Sequence, residues 1–200
     1  MRTSVATPLD SFASRGNADT DPETLSIERL KCGNLEALGE LYDRHHTAVR
    51  AFACRLLGDA SAAEDMVHEV FLGVPKAIRN FKGDSTLRTF LIAIAVNMSR
   101  HHVRAATRRR AAVERMAREP VRASGDPEGS AMREQAAMAL MRALDDLSHD
   151  HRVAFVLCEV EERSSSEVAA IVGVPEGTVR TRVFHAKKKL RESLEAAGVR

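Results

Sequence analysis

Three features predict an all-α protein made of two small helical domains joined by a flexible linker. Apolar residues make up 44% of the 200-residue chain, yet aromatics supply only 4% and Trp is absent. Any core must therefore be built from Leu, Val, Ile, Ala and Met. Ala- and Leu-rich stretches prevail over alternating β-branched runs, which favours helix over strand. Two blocks of helical periodicity flank a stretch rich in Pro, Gly, Ser and Asp near the middle. The expected boundaries are a disordered tail at 1–24, a first domain at 25–110, a linker at 111–133 and a second domain at 134–200.

The tail, MRTSVATPLDSFASRGNADTDPET, has no periodicity and too little apolar content to fold alone. Helical signals begin at Asn34, a capping residue that would place Leu35, Leu38, Leu41 and Tyr42 inward. Val49, Phe52, Ala53, Leu56 and Leu57 then follow the spacing of a second buried stripe. Gly58-Asp59 stops that helix, and Ser61-x-x-Glu64 reads as a capping box for a third. The third helix turns Met66, Val67, Val70 and Phe71 inward before Gly73 and Pro75 kink or end it. After the loop NFKGDST, a fourth helix carries Leu87, Phe90, Leu91, Ile94 and Met98 on one face. The stretch from 107 to 131 is basic, then breaker-rich; its first part can extend the preceding helix.

In the second domain Met138, Met141, Leu144 and Leu147 form one apolar stripe, and Val153, Val156, Leu157 and Val160 another. Ser164-x-x-Glu167 is a further capping box, opening a short helix with Val168, Ala169, Ile171 and Val172. Gly173 supplies a left-handed turn, and Val174-Pro175 leads into the last helix. There Val179, Val183, Ala186 and Leu190 share a narrow stripe, while Arg180, Thr181, Phe184 and Lys188 lie opposite. That division suits a recognition helix, whose apolar seam holds it in place while long donors reach base edges and phosphates. A lysine run alone would read as a solvated face. The cap, small residue, glycine turn and opposed faces together read as a helix-turn-helix that binds DNA.

Thirty basic residues against 28 acidic leave a net charge of only +2, so any nucleic-acid surface is local. The cysteines, Cys32, Cys54 and Cys158, share no metal-binding spacing and read as reduced thiols. No apolar run reaches membrane-spanning length and no signal-peptide core is present, so a cytoplasmic location without membrane insertion is expected. The histidines at 45–46, 101–102, 149 and 151 have no carboxylate or thiol at recognisable ligand spacing, and adjacent residues diverge around a helix. No metal, cofactor or catalytic group is expected.

The segments AEDMVHEVF (63–71) and FKGDSTLRTFLIAIAVNMSRHH (81–102) resemble the core-binding and promoter-melting segments of bacterial sigma factors. The likeness is to the extracytoplasmic-function (ECF) group, and covers about 34–110 and about 136–195. It implies that Asp65, His68, Glu69 and Phe71 meet core RNA polymerase, with His68 standing where the family often has Gln. It implies that Phe81, Lys82, Gly83, Asp84 and Ser85 capture a base flipped from the minus-ten element. Gly permits close backbone approach, an aromatic can stack, and Asp or Ser can read a base edge. Asn97, Arg100, Arg104 and Arg108 fall on one stripe that matches the contact to the upstream edge of the melted DNA. Phe90 replaces a common Trp and is read as core. Thr178, Arg180, Thr181, Arg182 and Phe184 match the reader of the minus-thirty-five element, with His185, Lys187 and Lys188 toward phosphates. By helical angle Arg182 instead can anchor a phosphate or a neighbouring carboxylate.

The resemblance further implies an anti-sigma partner. It explains the near-neutral charge, since a protein delivered to promoter DNA by polymerase needs little non-specific affinity of its own. Two other readings stay open: a polymerase-independent helix-turn-helix regulator, and an interaction module whose acidic helix is the working surface.

Overall fold

The computed structural model describes residues 22–116 and 127–198, all helix, turn and loop. The expected tail up to residue 21 and the middle of the expected linker, 117–126, lie outside the described residues. The first half comprises α1 (Pro22–Lys31), α2 (Leu35–Leu57), α3 (Ala60–Ala77) with a 3-10 turn at Ile78–Asn80, and α4 (Leu87–Met116). The second comprises α5 (Pro127–Asp145), α6 (His149–Phe155) running into a π-turn at Val156–Val160, α7 (Ser165–Val172) and α8 (Glu176–Ala196).

Local chemistry sets the helix ends. Asn34 is in extended conformation and its side chain accepts a hydrogen bond from the Ala37 N–H at 2.9 Å. No breaker separates the two apolar stripes of α2, so they form one continuous helix rather than two. Leu35, expected inward, is 80% exposed, because it sits in the first turn beyond the reach of the core. Gly58 ends α2 at φ +64°, and a Cβ there would lie 2.0 Å from Met141 Cε on α5. The glycine therefore meets both a conformational and a packing demand. Asp59, not Ser61, caps α3, accepting from Ala62 N–H at 3.0 Å, since it follows the left-handed turn directly. Helix α3 outlasts Pro75 by two residues before tightening into the 3-10 turn. The Ser164–Glu167 capping box and the left-handed Gly173 stand as expected.

Helix α1 begins inside the expected tail and packs its buried Leu30 toward the bundle. Its Arg29 donates to Glu40 of α2 at 3.0 Å. The main core holds Val49, Phe52, Leu56 and Leu57 of α2, Met66, Val67 and Val70 of α3, and Leu87, Leu91 and Ile92 of α4. The same cluster continues into the second half through Val96 of α4 to Val153, Leu157, Val168, Ile171 and Val179. A smaller cluster of Ala143, Leu144, Leu147, Ala186 and Leu190 joins α5 to α8. Val160 and Met138, expected inward, are exposed, the first at the end of the π-turn.

The two domains are thus in contact rather than held apart. Most of the expected linker that is described is helical, as the end of α4 and the start of α5. Asp145 at the end of α5 fastens the halves: it accepts from Arg110 Nε at 2.7 Å, Thr107 Oγ1 at 3.0 Å and Arg152 Nη1 at 2.7 Å. Burial pushes the Asp145 carboxyl up, but the hydrogen bonds and charges of Arg110 and Arg152 prevail and hold it below the ordinary range. Arg110 also donates to the Leu57 carbonyl at 2.6 Å, satisfying the end of α2.

Phe52 is fully buried where α2 meets the rest of the core. Phe52→Ala is expected to lower unfolding free energy by about 3–5 kcal/mol, read as a shifted midpoint in urea denaturation of the full chain.

Candidate nucleic-acid interface

The acidic face of α3 is built by alternation within one helix. Met66, Val67, Val70 and Phe71 face the core, which turns Asp65 and His68 to solvent and leaves Glu69 half-buried. Phe71 is only 5% exposed, with its ring edge-on to Tyr42 at 4.9 Å between centroids. Its expected role as a polymerase contact is corrected to a core role: in the amphipathic repeat it shares the angle of Val67 and Val74. Its neighbour Leu72, which sequence reasoning passed over, is an exposed apolar side chain on the same helix, 79% exposed.

In the loop before α4, Lys82, Gly83, Asp84 and Ser85 are exposed, and Gly83 has φ +81°. Thr86 caps α4 by accepting from Thr89 N–H at 3.2 Å. Phe81 is 8% exposed and packs on Phe90 at 4.6 Å, so its assignment as a base-stacking surface is also corrected. The apolar floor under the loop competes for that ring and holds it. On α4, Asn97, Arg100, Arg104 and Arg108 are exposed along one stripe, as the spacing required.

On α8, Val179, Ala186 and Leu190 are buried. Opposite them Arg180, Thr181, Phe184, His185, Lys187 and Lys188 are exposed, while Thr178 and Arg182 are half-buried. Phe184 is 65% exposed, against the usual tendency of an aromatic ring to leave water. Arg180 pairs with Glu176 one turn earlier, Lys187 reaches Glu159 at 2.8 Å, and Lys188 lies 4.0 Å from Glu192. Such exposed pairs contribute little and break readily in favour of a phosphate.

The two sets of basic residues converge on one acid. Asp150, in the first turn of α6, accepts from Arg100 of α4 at 3.1 Å and from Arg182 of α8 at 2.8 Å. Of the two fates open to Arg182, the carboxylate is the one realised. A cleft of about 240 Å³ between the domains is lined by Asn97, Arg100, His149, Asp150, Val174 and Arg182. Beside it the buried Ser99 hydroxyl lies 2.8 Å from His149 Nε2. Partial burial pushes Asp150 up, but His149, Arg182 and Arg100 together hold it below the ordinary carboxylate range. Burial holds His149 below its usual 6.5, with Asp150 opposing. Nothing in the sequence marked Asp150, which reads as an ordinary acid at a helix N-terminus.

Adjacent histidines do not diverge at His101 and His102: their ring centroids lie 3.9 Å apart, and both face Glu69. The expectation that no carboxylate joins these histidines is therefore overturned.

Known proteins align with the chain in the same order. A family described as sigma-70 region 2 matches residues 41–109, and one described as sigma-70 region 4 matches 137–190, together more than half of the chain. The RNA polymerase sigma-H factor of Pseudomonas aeruginosa is 29% identical over 177 residues, covering 84% of this chain and 92% of that protein. The ECF RNA polymerase sigma-E factor of Escherichia coli shows the same identity and coverage. Among solved structures, the sigma factor RpoE in complex with the anti-sigma factor NepR from Bartonella quintana matches with a TM-score of 0.52. That match has 29% identity and covers 75% of this chain and 91% of that one. CnrH in complex with the cytosolic domain of CnrY shares the fold, with a TM-score of 0.58, 24% identity and coverage of 87% and 97%. No described helix is long and apolar enough to cross a membrane.

Above pH 6.5 His149 is neutral whether the domains are together or apart. Below it, separated domains take up the proton more readily because His149 is then hydrated, so the closed arrangement loses stability as pH falls through that value. Small-angle scattering is expected to show a larger radius of gyration at about pH 5 than at about pH 7.5, with Asp150→Ala expanded already at the higher pH. An unchanged radius in both comparisons contradicts this.

Proposed function

This chain belongs to the sigma-70 family of RNA polymerase sigma factors, in its ECF group, and from that premise we propose how its residues divide the work. The protein is a sigma factor: it binds core RNA polymerase and directs promoter-specific initiation, with region 2 serving the minus-ten element and region 4 the minus-thirty-five element. Sigma factors are not enzymes; nucleotide polymerisation belongs to the partner. A cytoplasmic location follows from where that partner works.

The residue assignments are carried over from the family resemblance and sorted by which side chains stand exposed. Asp65, His68, Glu69 and Leu72 form the docking face for polymerase. Lys82, Gly83, Asp84 and Ser85 receive the flipped base, the loop's backbone and polar groups doing what the buried Phe81 cannot. Unstacking a base costs a few kcal/mol, so a pocket that recovers this for one base makes melting depend on sequence. Asn97, Arg100 and Arg104 follow the melted strand. On the upstream duplex Arg180, Thr181 and Phe184 enter the major groove, Phe184 against a thymine methyl, with Lys187 and Lys188 on phosphates. The observation that carries this reading is the outward ring of Phe184 on a basic helix face whose opposite side is wholly packed.

The shared grip on Asp150 adds a requirement. Elements centred near minus-ten and minus-thirty-five lie about 25 base pairs apart, roughly 85 Å of duplex at about 3.4 Å per pair. Arg100 and Arg182 cannot meet both while each holds the same carboxylate. Docking on polymerase is therefore coupled to domain separation, and an anti-sigma partner that favours the closed form would keep the protein silent.

Arg180→Ala with Phe184→Ala is expected to lower promoter-specific transcription in vitro by about 30-fold or more, at about 1–3 kcal/mol for each of the two lost base contacts, with capture of core polymerase retained. Lys82→Ala with Asp84→Ala should likewise retain capture but lose permanganate-detected melting. Tight, specific duplex binding by the free chain in a gel shift would instead identify a polymerase-independent regulator.

A further inference from the structure

The packing of α3 against α4 gathers a carboxylate and two imidazoles at the edge of the DNA-facing stripe. We propose that Glu69, His101 and His102 form a binding site for one divalent transition-metal ion of the zinc, cobalt or nickel class. His102 Nε2 lies 3.1 Å from Glu69 Oε2, and His101 Nε2 lies 3.8 Å from Glu69 Oε1. All three donor atoms fall within 4.8 Å of one another. An ion at about 2.1 Å from each of its ligands in tetrahedral geometry spaces them about 3.4 Å apart, between the two distances present.

The ring orientation is already set for coordination. His101 Nδ1 lies 3.1 Å from the Met98 carbonyl oxygen, which can only accept, so Nδ1 carries the proton of the neutral ring. Nε2 is then a lone pair aimed at a carboxylate oxygen, two acceptors facing each other with no proton between them. A cation satisfies both, and a carbonyl behind the imidazole is the support that metal-bound histidines ordinarily have. His102 is held by burial, its side chain 6% exposed, while His101 and Glu69 remain open to solvent and leave a path for the ion. To coordinate, His102 moves its ring proton from Nε2 to Nδ1. Two imidazoles and one carboxylate suit a borderline metal and leave a coordination position for water or a partner's side chain.

Occupancy has a consequence on the docking face. Glu69 is proposed above to meet polymerase, and a bound dication turns its local charge from negative to positive. Metal and polymerase then compete for one carboxylate. This coupling rests on the docking assignment; the metal site does not, and the two are tested apart.

The full chain is titrated with Co²⁺ and followed by its visible absorption, then with Zn²⁺ as competitor. Wild type should bind one equivalent of Co²⁺ with intense tetrahedral-type bands that Zn²⁺ removes. His101→Ala and Glu69→Gln, both at accessible positions, should each weaken binding at least about tenfold with unchanged circular dichroism. Absence of the cobalt bands, or undiminished binding by both variants, overturns the site and leaves His101 an ordinary partner of Glu69. Capture on core polymerase with and without Zn²⁺ tests the coupling: zinc should reduce capture of wild type but not of His101→Ala. Equal capture of wild type in both conditions overturns the competition while leaving the titration to stand.

Discussion

Two buried or half-buried carboxylates decide how this molecule is arranged. Asp145 ties the end of α4 to α5 and α6 through Arg110, Thr107 and Arg152, and Asp150 ties the middle of α4 to α8. The first half supplies most of the main core and the second has only a small cluster of its own, and the continuous apolar cluster lets α4 serve both. The carboxylates orient that contact, since an apolar interface alone tolerates sliding whereas a charge with fixed donors does not. Arg152 shows the cost of the arrangement: it is fully buried, and its Nε and Nη2 have no hydrogen-bond partner among the described residues.

The near-neutral charge has a second meaning once the pairs are visible. Arg100, Arg180, Arg182 and Lys187 all lie against acids of the same chain. Basic side chains destined for DNA are stored on internal partners, which suppresses stray attraction to nucleic acid until something stronger competes. The exposed pairs on α8 are cheap to exchange. The Asp150 pair is different in kind, because releasing it parts two domains rather than two side chains.

The aromatics divide on the same physical ground. Phe71 and Phe81 lie over apolar neighbours and are drawn in, toward Tyr42 and Phe90. Phe184 stands on the far side of a helix whose apolar seam is already filled by Val179, Ala186 and Leu190. The residue type is common to all three; the angle around the helix or loop separates the core ring from the recognition ring. For Phe71 that angle was readable from the repeat in α3. For Phe81, in a loop without a repeat, it was not.

Local rules therefore account for the helices and their ends: Asn34, Ser164 and Gly173 act through contacts within a few residues, and the apolar stripes of α2 and α8 follow from helical period alone. The order of the two family segments and the outward face of α8 belong to the same class. Meetings between residues distant in the chain depend on packing that no period encodes. Asp150 with Arg100 and Arg182, and Glu69 with His101 and His102, exist because helices cross at one particular distance and angle. Those long-range distances settle which charges are held in reserve and which stand ready.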